Sequence, residues 1–356
     1  MINIDFYKNR RVLVTGHSGF KGSWLCRILK KLGARVCGLS LMPESDSSLF
    51  FLADVPHCIE HAAYSDIRIY DNVEKVFDQF HPEIVIHLAA QPLVRESYRN
   101  PRMTYETNVL GTLHILECIR HFPEVRSFLN VTTEKVYENK ENAQIRIDES
   151  FQLNGFDPYS NSKSCSELIT ETYMRCFFDN RDCAISTART SNVLGGGDFA
   201  TDRIIPDCVR AAIAHKDIIV RNPQSCRPYQ FILDPLFAYL EICEKQYDNK
   251  SMQGCFNITP DDAVNTADLV SLFCRKWGEN LQWVAHSNHE NMHEADFLVV
   301  SNEKFKERYH WKSAYSIETA VENVVQWTKA WLKNPALSKD VMDLQIEDFI
   351  ENRRGA

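Results

Sequence analysis

The sequence has 356 residues, of which 44% are apolar and 25% charged, and its net charge is −8. This composition is typical of a globular protein with two to three domains or one large α/β unit. Lysine and arginine are dispersed, so the basic footprint of a nucleic-acid-binding protein is missing. No apolar run reaches the roughly 18 residues of a membrane span, and the N-terminus does not resemble a secretory signal. We therefore expect neither nucleic acid nor a membrane as partner.

The twelve cysteines are scattered singly, several of them within apolar runs. No CxxC motif or Cys/His spacing typical of a metal site is found. We expect free core thiols in a cytoplasmic protein, and no metal.

Apolar runs with strand character alternate with stretches of helical periodicity through the first 190 residues. The predicted elements, in chain order, are strands at 10–16, 34–41, 83–90, 126–133 and 183–190, and helices at 24–34, 71–80, 104–119, 162–178 and near the C-terminus at 335–356. This alternation predicts a Rossmann-like, doubly wound parallel sheet with helices on both faces. We predict a dinucleotide-binding domain at 1–190, with a return segment near 230–262, and a mainly substrate-binding region at 191–356.

The first strand runs into TGHSGFKG, in which Gly16, Gly19 and Gly22 form a Gly-x-x-Gly-x-x-Gly turn before a helix. Such a turn lets the backbone approach a pyrophosphate, whose charge the helix N-terminus stabilises. We predict that this loop, including Phe20, binds a dinucleotide. A plain tight turn is the alternative.

The choice between NAD and NADP depends on the cations near the second strand. No lysine or arginine occurs between Arg35 and Arg68, where a ribose 2′-phosphate would need one. His17 and Lys21 in the glycine loop are possible cations for such a phosphate and so favour NADP. Because the region after the second strand has no cation, we favour NAD. Asp66 and Ile67 are predicted to contact the adenine, although Asp66 equally fits a solvated turn.

The segment DPYSNSK places Tyr159 and Lys163 four residues apart, on one face of a helix. Tyrosine, with a pKa of about 10, is a poor base at neutral pH. A neighbouring ammonium and a positive nicotinamide ring would lower that pKa by favouring the phenolate. The pair therefore indicates hydride-transfer chemistry.

Together these motifs resemble the extended short-chain dehydrogenase/reductases and, more narrowly, the CDP-glucose 4,6-dehydratases. FKGS, YENKE, GGGDFATDR and RPYQ are typical of that branch. The similar segments run in order from residue 10 to about residue 332 and are VTGHSGFKGSWL, HLAAQPLVRESYRNP, TNVLGT, TTEKVYENKE, DPYSNSKSCSEL, ARTSNVLGGGDFATDRIIPDCVRA and RNPQSCRPYQFILDPL, with a HEADF and SNEKFKERYHW tail.

The resemblance implies bound NAD, a nucleotide-sugar substrate and loss of water across C5 and C6 of the hexose. It places the catalytic hydroxyl at Thr133 and the elimination pair at Glu134 and Lys135. The acid is typically Asp in that family, so Glu134 is a departure. The further residues that the resemblance implies are Leu88, Ala89, Ala90 and Thr107 for the cofactor, and Gln91, Asn192, Arg203, Ile204, Arg227 and Tyr229 for the substrate.

Several alternatives stay open. Lys135 is either the base that removes the C5 proton or a cation that stabilises the enolate. Arg227 suits a bidentate phosphate contact, but a structural loop arginine is its alternative. The enzyme is a dehydratase of CDP-glucose, or an epimerase or dehydratase of another nucleotide sugar. A non-catalytic NAD-binding regulator is the third hypothesis. Broadly apolar helices at 104–119 and 162–178 predict a homodimer or homotetramer.

Overall fold

The computed structural model describes residues 2–139, 146–285 and 298–354. The HEADF segment and the last two residues of YENKE, both quoted above, lie outside the described residues.

The strands of the described residues are β1 (Arg11–Thr15), β2 (Arg35–Ser40), β3 (His61–Tyr64), β4 (Ile84–His87), β5 (Ser127–Thr133), β6 (Ala184–Thr190), β7 (Asn192–Leu194), β8 (Ile218–Val220), β9 (Cys226–Arg227), β10 (Tyr229–Phe231), β11 (Cys255–Ile258), β12 (Val264–Asn265) and β13 (Trp283–Ala285).

The α-helices are α1 (Phe20–Lys31), α2 (Leu49–Leu52), α3 (Tyr70–Phe80), α4 (Val94–Arg99), α5 (Pro101–Tyr105), α6 (Gly111–His121), α7 (Pro158–Phe177), α8 (Ile204–Ile213), α9 (Leu233–Asp248), α10 (Thr266–Trp277), α11 (Glu303–Tyr309), α12 (Ile317–Lys333) and α13 (Leu337–Arg354). Short 3₁₀ turns cover Ile4–Tyr7, Val55–Cys58, Glu134–Val136 and Lys250–Met252. None of the helices in these ranges is both long and apolar enough to cross a bilayer.

Seven strands form one parallel sheet in the order β11-β6-β5-β4-β1-β2-β3. All residues of β4, β5 and β6 are buried, as expected for strands covered on both faces. The predicted Rossmann-like doubly wound sheet is confirmed. Its last strand, β11, comes from residues 255–258, far along the chain from β6.

The smaller strands lie in the second half of the chain. They pair as β7 with β10, β9 with β12, and β8 with β13. Asn192 and Tyr229 lie on the first pair and Arg227 on the second, and β7 directly follows the carboxyl end of β6. The predicted C-terminal helix is α13, which packs on α12 and α1.

Three predicted helices differ from those observed. Helix α1 covers Phe20–Lys31 and so begins four residues before its predicted start at residue 24. The helix predicted over 104–119 is interrupted by a π-helical segment at Glu106–Leu110, between α5 and α6. Helix α7 begins four residues before its predicted start, because Asp157 caps it by accepting a hydrogen bond from the Ser160 amide and Pro158 occupies its first turn. Tyr159 therefore lies in the first turn of α7, one turn before Lys163.

Candidate active site

The order of the sheet reverses between β1 and β4, which are neighbours in space but not in sequence. Open α/β sheets bind ligands in the crevice at the carboxyl ends of such strands. Here β1 leads into the glycine loop, β4 into Leu88, and β5 into Thr133 and Glu134. The fold thus gathers the sequence motifs at one edge.

The glycine loop has no room for a side chain at Gly16 or Gly22. Gly16 has a φ of +74°, and a methyl group built on it would lie 2.8 Å from the Ala89 nitrogen. A methyl on Gly22 would lie 2.1 Å from the Gly16 carbonyl oxygen. Gly19 precedes α1 without a side-chain cap. This backbone, open at the helix N-terminus, fits the pyrophosphate of a dinucleotide.

His17 is wholly buried, against Phe50 and Tyr64, and neither of its ring nitrogens has a hydrogen-bond partner. Burial lowers its pKa to about 4, so the ring is neutral at pH 7. Lys21 is directed into the protein, where its Nζ donates to the Tyr239 hydroxyl at 3.3 Å. Neither residue is therefore placed as the cation that a ribose 2′-phosphate would need.

The residues predicted to contact adenine are engaged within the protein. The Asp66 carboxylate accepts hydrogen bonds from the Arg68 guanidinium, at 2.6 Å from Nη2, and this pairing lowers the pKa of Asp66. Ile67 is 4% exposed and packs against Gly111 at the start of α6. Thr107 lies in the π-helical segment, where its hydroxyl contacts the Met103 sulfur at 3.8 Å.

The loop after β4 is fixed by polar contacts. The Ala89 amide donates to the Thr15 hydroxyl at 3.1 Å, while Leu88, Ala89 and Ala90 are half-buried. The Gln91 side chain donates to Thr104 at 2.9 Å and accepts from the Leu93 amide at 2.6 Å. Gln91 is 7% exposed, so its side chain shapes the loop and its amide is already engaged.

Tyr159, Lys163 and Thr133 are brought together. The Tyr159 hydroxyl is hydrogen-bonded to the Thr133 side chain, and burial raises the pKa of Tyr159 to about 12. Arg203 is the charged residue that lowers this pKa most. The Lys163 Nζ donates to the Val131 carbonyl at 3.0 Å, and burial lowers its pKa to about 8. Burial outweighs this cation, so the Tyr159 pKa is raised and not lowered as expected, and the cation that favours the phenolate most is Arg203 and not Lys163.

Glu134 lies next to this triad, in the 3₁₀ turn that follows β5. It is 1% exposed, and Asn192 Nδ2 lies 3.5 Å from its Oε1. Burial raises its pKa to about 8, although Arg227, Lys135 and Lys21 favour the carboxylate. Glu134 is therefore mostly protonated at neutral pH, as a proton donor must be. Because its carboxyl group is buried, Glu134 is not a surface carboxylate in contact with bulk water.

The predicted substrate residues surround Glu134 from the second half of the chain. Arg227, on β9, is 6% exposed and acts on the Glu134 carboxyl group electrostatically. Arg203 pairs with Asp198 at 3.1 Å and influences both Tyr159 and Lys21. Ile204 begins α8, and Tyr229 on β10 is in register with Asn192 on β7.

Two polar residues near Lys21 were not predicted from the sequence to belong to the site. Tyr239, on α9, is wholly buried and its hydroxyl is hydrogen-bonded to Thr190 and Lys21. Asp198, in GGGD, helps to keep Lys21 cationic, whereas burial lowers the Lys21 pKa to about 7. A tyrosine inside the apolar run DPLFAYLE was the available signal, because a buried hydroxyl needs a partner.

The profile of the GDP-mannose 4,6 dehydratase family matches residues 13–324. The chain belongs to this family. A CDP-glucose 4,6-dehydratase of Salmonella typhimurium is 36% identical over 343 residues, which cover 94% of each chain. A dTDP-glucose 4,6-dehydratase of Xanthomonas campestris is 24% identical over 350 residues, or 93% of this chain and 95% of that one.

Solved structures share the fold of this dehydratase-family chain. A UDP-glucose 4-epimerase from Thermotoga maritima superposes with a TM-score of 0.79 at 21% identity, covering 90% of this chain and 99% of that one. An epimerase from Methanothermobacter thermautotrophicus gives 0.81 at 20% identity, covering 94% and 96%. The resemblance predicted from the sequence motifs is confirmed.

Proposed function

We propose that the chain is a nucleotide-sugar 4,6-dehydratase, a hydro-lyase that converts CDP-glucose to CDP-4-keto-6-deoxyglucose. The observation that carries the proposal is Glu134, a buried acid protonated at neutral pH beside the hydrogen-bonded Thr133 and Tyr159. Simple oxidation and reduction at C4 needs only the hydroxyl and the Tyr–Lys pair. A buried proton donor is what elimination of the C6 hydroxyl requires in addition.

The cofactor proposed is NAD, held by the backbone around Gly16, Gly19 and Gly22, with Ala89 at the facing wall. Bound NAD supplies a hydride acceptor for C4 and a hydride donor for C6. The choice of NAD over NADP is supported by His17 and Lys21, since the first is buried and neutral and the second is directed toward Tyr239.

The oxidation step depends on Tyr159. In its phenolate form it takes the proton of the 4-OH while C4 loses a hydride and becomes a ketone. The Thr133 hydroxyl, bonded to Tyr159, holds the sugar oxygen in line. Arg203, as a nearby cation, favours the phenolate.

The elimination step depends on Glu134 and Lys135. The C4 ketone acidifies the C5 proton, which a base removes, and the electron pair forms a C5–C6 double bond. Glu134 gives its proton to O6, and the C6–O bond breaks to release water. Hydride then adds to C6 and a proton returns to C5. Lys135 acts either as the base or as the cation that stabilises the enolate.

The alternatives have weaker support. A 4-epimerase has no use for a buried carboxylic acid at position 134. A non-catalytic NAD-binding regulator needs no bond between Tyr159 and Thr133. A dehydratase acting on dTDP-, UDP- or GDP-linked hexoses has the same catalytic residues, and it differs only in the loops that contact the base.

The test is incubation of the purified protein and NAD with CDP-, dTDP-, UDP- and GDP-linked glucose and with GDP-mannose. Mass spectrometry follows loss of water from each sugar. We expect CDP-glucose to be consumed fastest and to give a dehydrated product. If a different nucleotide sugar is consumed fastest, that sugar is the substrate and not CDP-glucose. If none of them is dehydrated, the proposed function is wrong.

We propose further that the protein works in the cytoplasm as a homodimer or homotetramer. Helices α6 and α7 pack against each other. Apolar side chains are exposed along this pair and the π-helical segment before α6: Leu110 is 44%, Leu168 48% and Phe177 45% exposed. Burying such a face against a second copy is favourable by about 25 cal/mol per Å² of apolar area.

A further inference from the structure

A buried ion pair lies behind the catalytic turn, which we define as residues 132–137. Glu167 of α7 and Arg189 of β6 are 2.5 Å apart, between Arg189 Nη2 and Glu167 Oε2, and both side chains are at most 4% exposed. Arg189 Nε donates to the same oxygen at 2.7 Å. Removing two charges from water is costly, so a buried pair needs further hydrogen bonds to offset that cost.

Those further bonds hold the two ends of the catalytic turn. The Thr132 hydroxyl donates to Glu167 Oε1 at 2.5 Å, and Arg189 Nη1 donates to the Tyr137 hydroxyl at 2.6 Å. The guanidinium also lies 4.8 Å from the centre of the Tyr137 ring. One ion pair therefore fixes the residues immediately outside Thr133 and the 3₁₀ turn Glu134–Val136.

The same pair connects this turn to the rest of the site. Glu167 lies one helical turn after Lys163 on α7, the helix that also carries Tyr159. The Tyr137 hydroxyl donates to Asn257 Oδ1 at 2.7 Å, which ties the end of the turn to β11. The turn bearing Glu134 and the helix bearing Tyr159 thus share one rigid, buried connection.

We propose that Glu167 and Arg189 are positioning residues that fix Glu134 relative to Tyr159. This inference rests on the proposed function, because one hexose must meet a proton acceptor at its 4-OH and a proton donor at its 6-OH. Both side chains are at most 4% exposed behind the turn, so the pair acts through the turn and not by direct contact with the substrate. A misplacement of about 1 Å costs on the order of 100-fold in rate.

The test removes the hydrogen bonds between the turn and the ion pair and leaves both charges in place. Thr132→Val keeps the branched shape but loses the donor to Glu167, and Tyr137→Phe keeps the ring but loses the hydroxyl. Each is expected to lower kcat at least tenfold while KM changes less than threefold. Glu167→Gln is less informative, because it leaves the Arg189 charge buried without its counter-ion.

The matched control is Ser186→Ala on the same strand, β6. The Ser186 hydroxyl is buried and donates to Gln246 at 2.5 Å, but it lies away from the carboxyl end of the strand. The Ser186 hydroxyl also accepts from the Gly254 amide at 3.0 Å, so this variant should lose two comparable hydrogen bonds, and some stability, at unchanged kcat. If Thr132→Val and Tyr137→Phe behave like Ser186→Ala, the pair is merely structural and the proposal is wrong.

Hydrogen exchange provides a measurement that needs no substrate. In Thr132→Val and Tyr137→Phe, the amides of residues 133–138 should exchange at least tenfold faster than in the wild type, and in Ser186→Ala they should not. If the wild type dehydrates no nucleotide sugar, the proposed function fails and exchange alone decides the inference. Unchanged exchange in both variants would overturn it.

Discussion

Glu134 is protonated at neutral pH only because it is buried, which makes its replacement diagnostic. Glu134→Gln keeps the shape and a hydrogen bond, but it cannot deliver a proton to O6. We expect oxidation at C4 to proceed and elimination to stall. Mixed with CDP-glucose, the variant should accumulate reduced cofactor and a 4-keto sugar that retains its 6-oxygen, as measured by stopped-flow absorbance and mass spectrometry.

Two comparisons sharpen that experiment. Glu134→Asp keeps a carboxylic acid at this position and should retain elimination. Glu171→Gln, on the exposed side of α7, should behave as the wild type, because its pair with Arg175 is exposed and contributes roughly 0–1 kcal/mol. Loss of hydride transfer itself in Glu134→Gln would mean that Glu134 positions the substrate and does not act as the acid.

Arg227 is buried beside Glu134 and is proposed to bind the sugar diphosphate. Arg227→Ala should raise KM about 10- to 100-fold with little change in kcat, because a phosphate contact of about 1.5–3 kcal/mol is present in both ground and transition states. Steady-state kinetics measures both constants, and Arg102→Ala on the exposed surface of α5 is the control. A collapsed kcat at constant KM would argue against the phosphate contact.

At the scale of elements, the turn between β1 and α1 predicts that alanine at Gly22 destabilises the protein more than alanine at Gly19. A methyl at Gly22 would lie 2.1 Å from the Gly16 carbonyl oxygen, whereas at Gly19 the same oxygen is 3.4 Å away, an ordinary contact. Gly22→Ala should therefore cost about 1–3 kcal/mol of unfolding free energy and weaken NAD binding. Gly19→Ala should cost under about 1 kcal/mol. Denaturant unfolding and NAD titration measure the two effects, and equal destabilisation would contradict this account.

The elements predicted well were those with a strong local signal. Strands β1 and β4 have the apolar centres VLV and IVI, so their burial follows from composition. Strands β5 (SFLNVTT) and β6 (AISTART) are equally buried although they carry several polar residues. The π-helical segment at Glu106–Leu110 could not be predicted, because a single wide turn hardly disturbs the apolar periodicity. The early start of α7 was missed, although Asp157 and Pro158 form a recognisable cap.

Only those parts of the candidate site that have a local sequence signal were predicted. Tyr159 and Lys163 are joined by helical spacing, which is local. The direction of the Lys21 side chain and the burial of Glu134 depend on α9, β7 and β9, which are distant in the sequence. Only the folded chain brings Tyr239, Asn192 and Arg227 to those positions.

At the scale of the whole molecule, buried ionisable groups predict opposite effects of pH on stability. His17 has a folded-state pKa lowered to about 4, so the unfolded chain binds more protons and stability is lost as pH falls from 6.5 toward 4. Glu134 has its pKa raised to about 8, so its contribution is lost as pH rises from 4.5 through 8.

Variants separate the two contributions. Between pH 7.5 and 5, His17→Phe should gain about 2 kcal/mol of unfolding free energy relative to the wild type. Glu134→Gln should change in the opposite sense, gaining relative stability as pH rises from 5 to 8. Denaturant unfolding at each pH measures both differences. Parallel pH curves for wild type and variants would show that these groups are not perturbed by burial.

The exposed apolar face on α6 and α7 leads to a prediction about assembly. Leu168→Asp places a charge where the proposed contact between copies lies, so it should shift the protein toward the monomer. Light scattering after size-exclusion chromatography measures the mass, and Glu307→Gln, on the exposed surface of α11 away from this face, is the control. A wild-type monomer, or a variant of unchanged mass, would contradict an interface on this face.

The position of β11 has a consequence for how the protein is made. Strand β6 is complete at residue 190, but its outer neighbour comes only from residues 255–258. During synthesis on the ribosome, the outer edge of β6 therefore stays unpaired until more than sixty further residues have been made. Such an edge readily pairs with other chains. We expect fragments that stop between residues 190 and 254 to aggregate, and nascent chains of that length to need a chaperone.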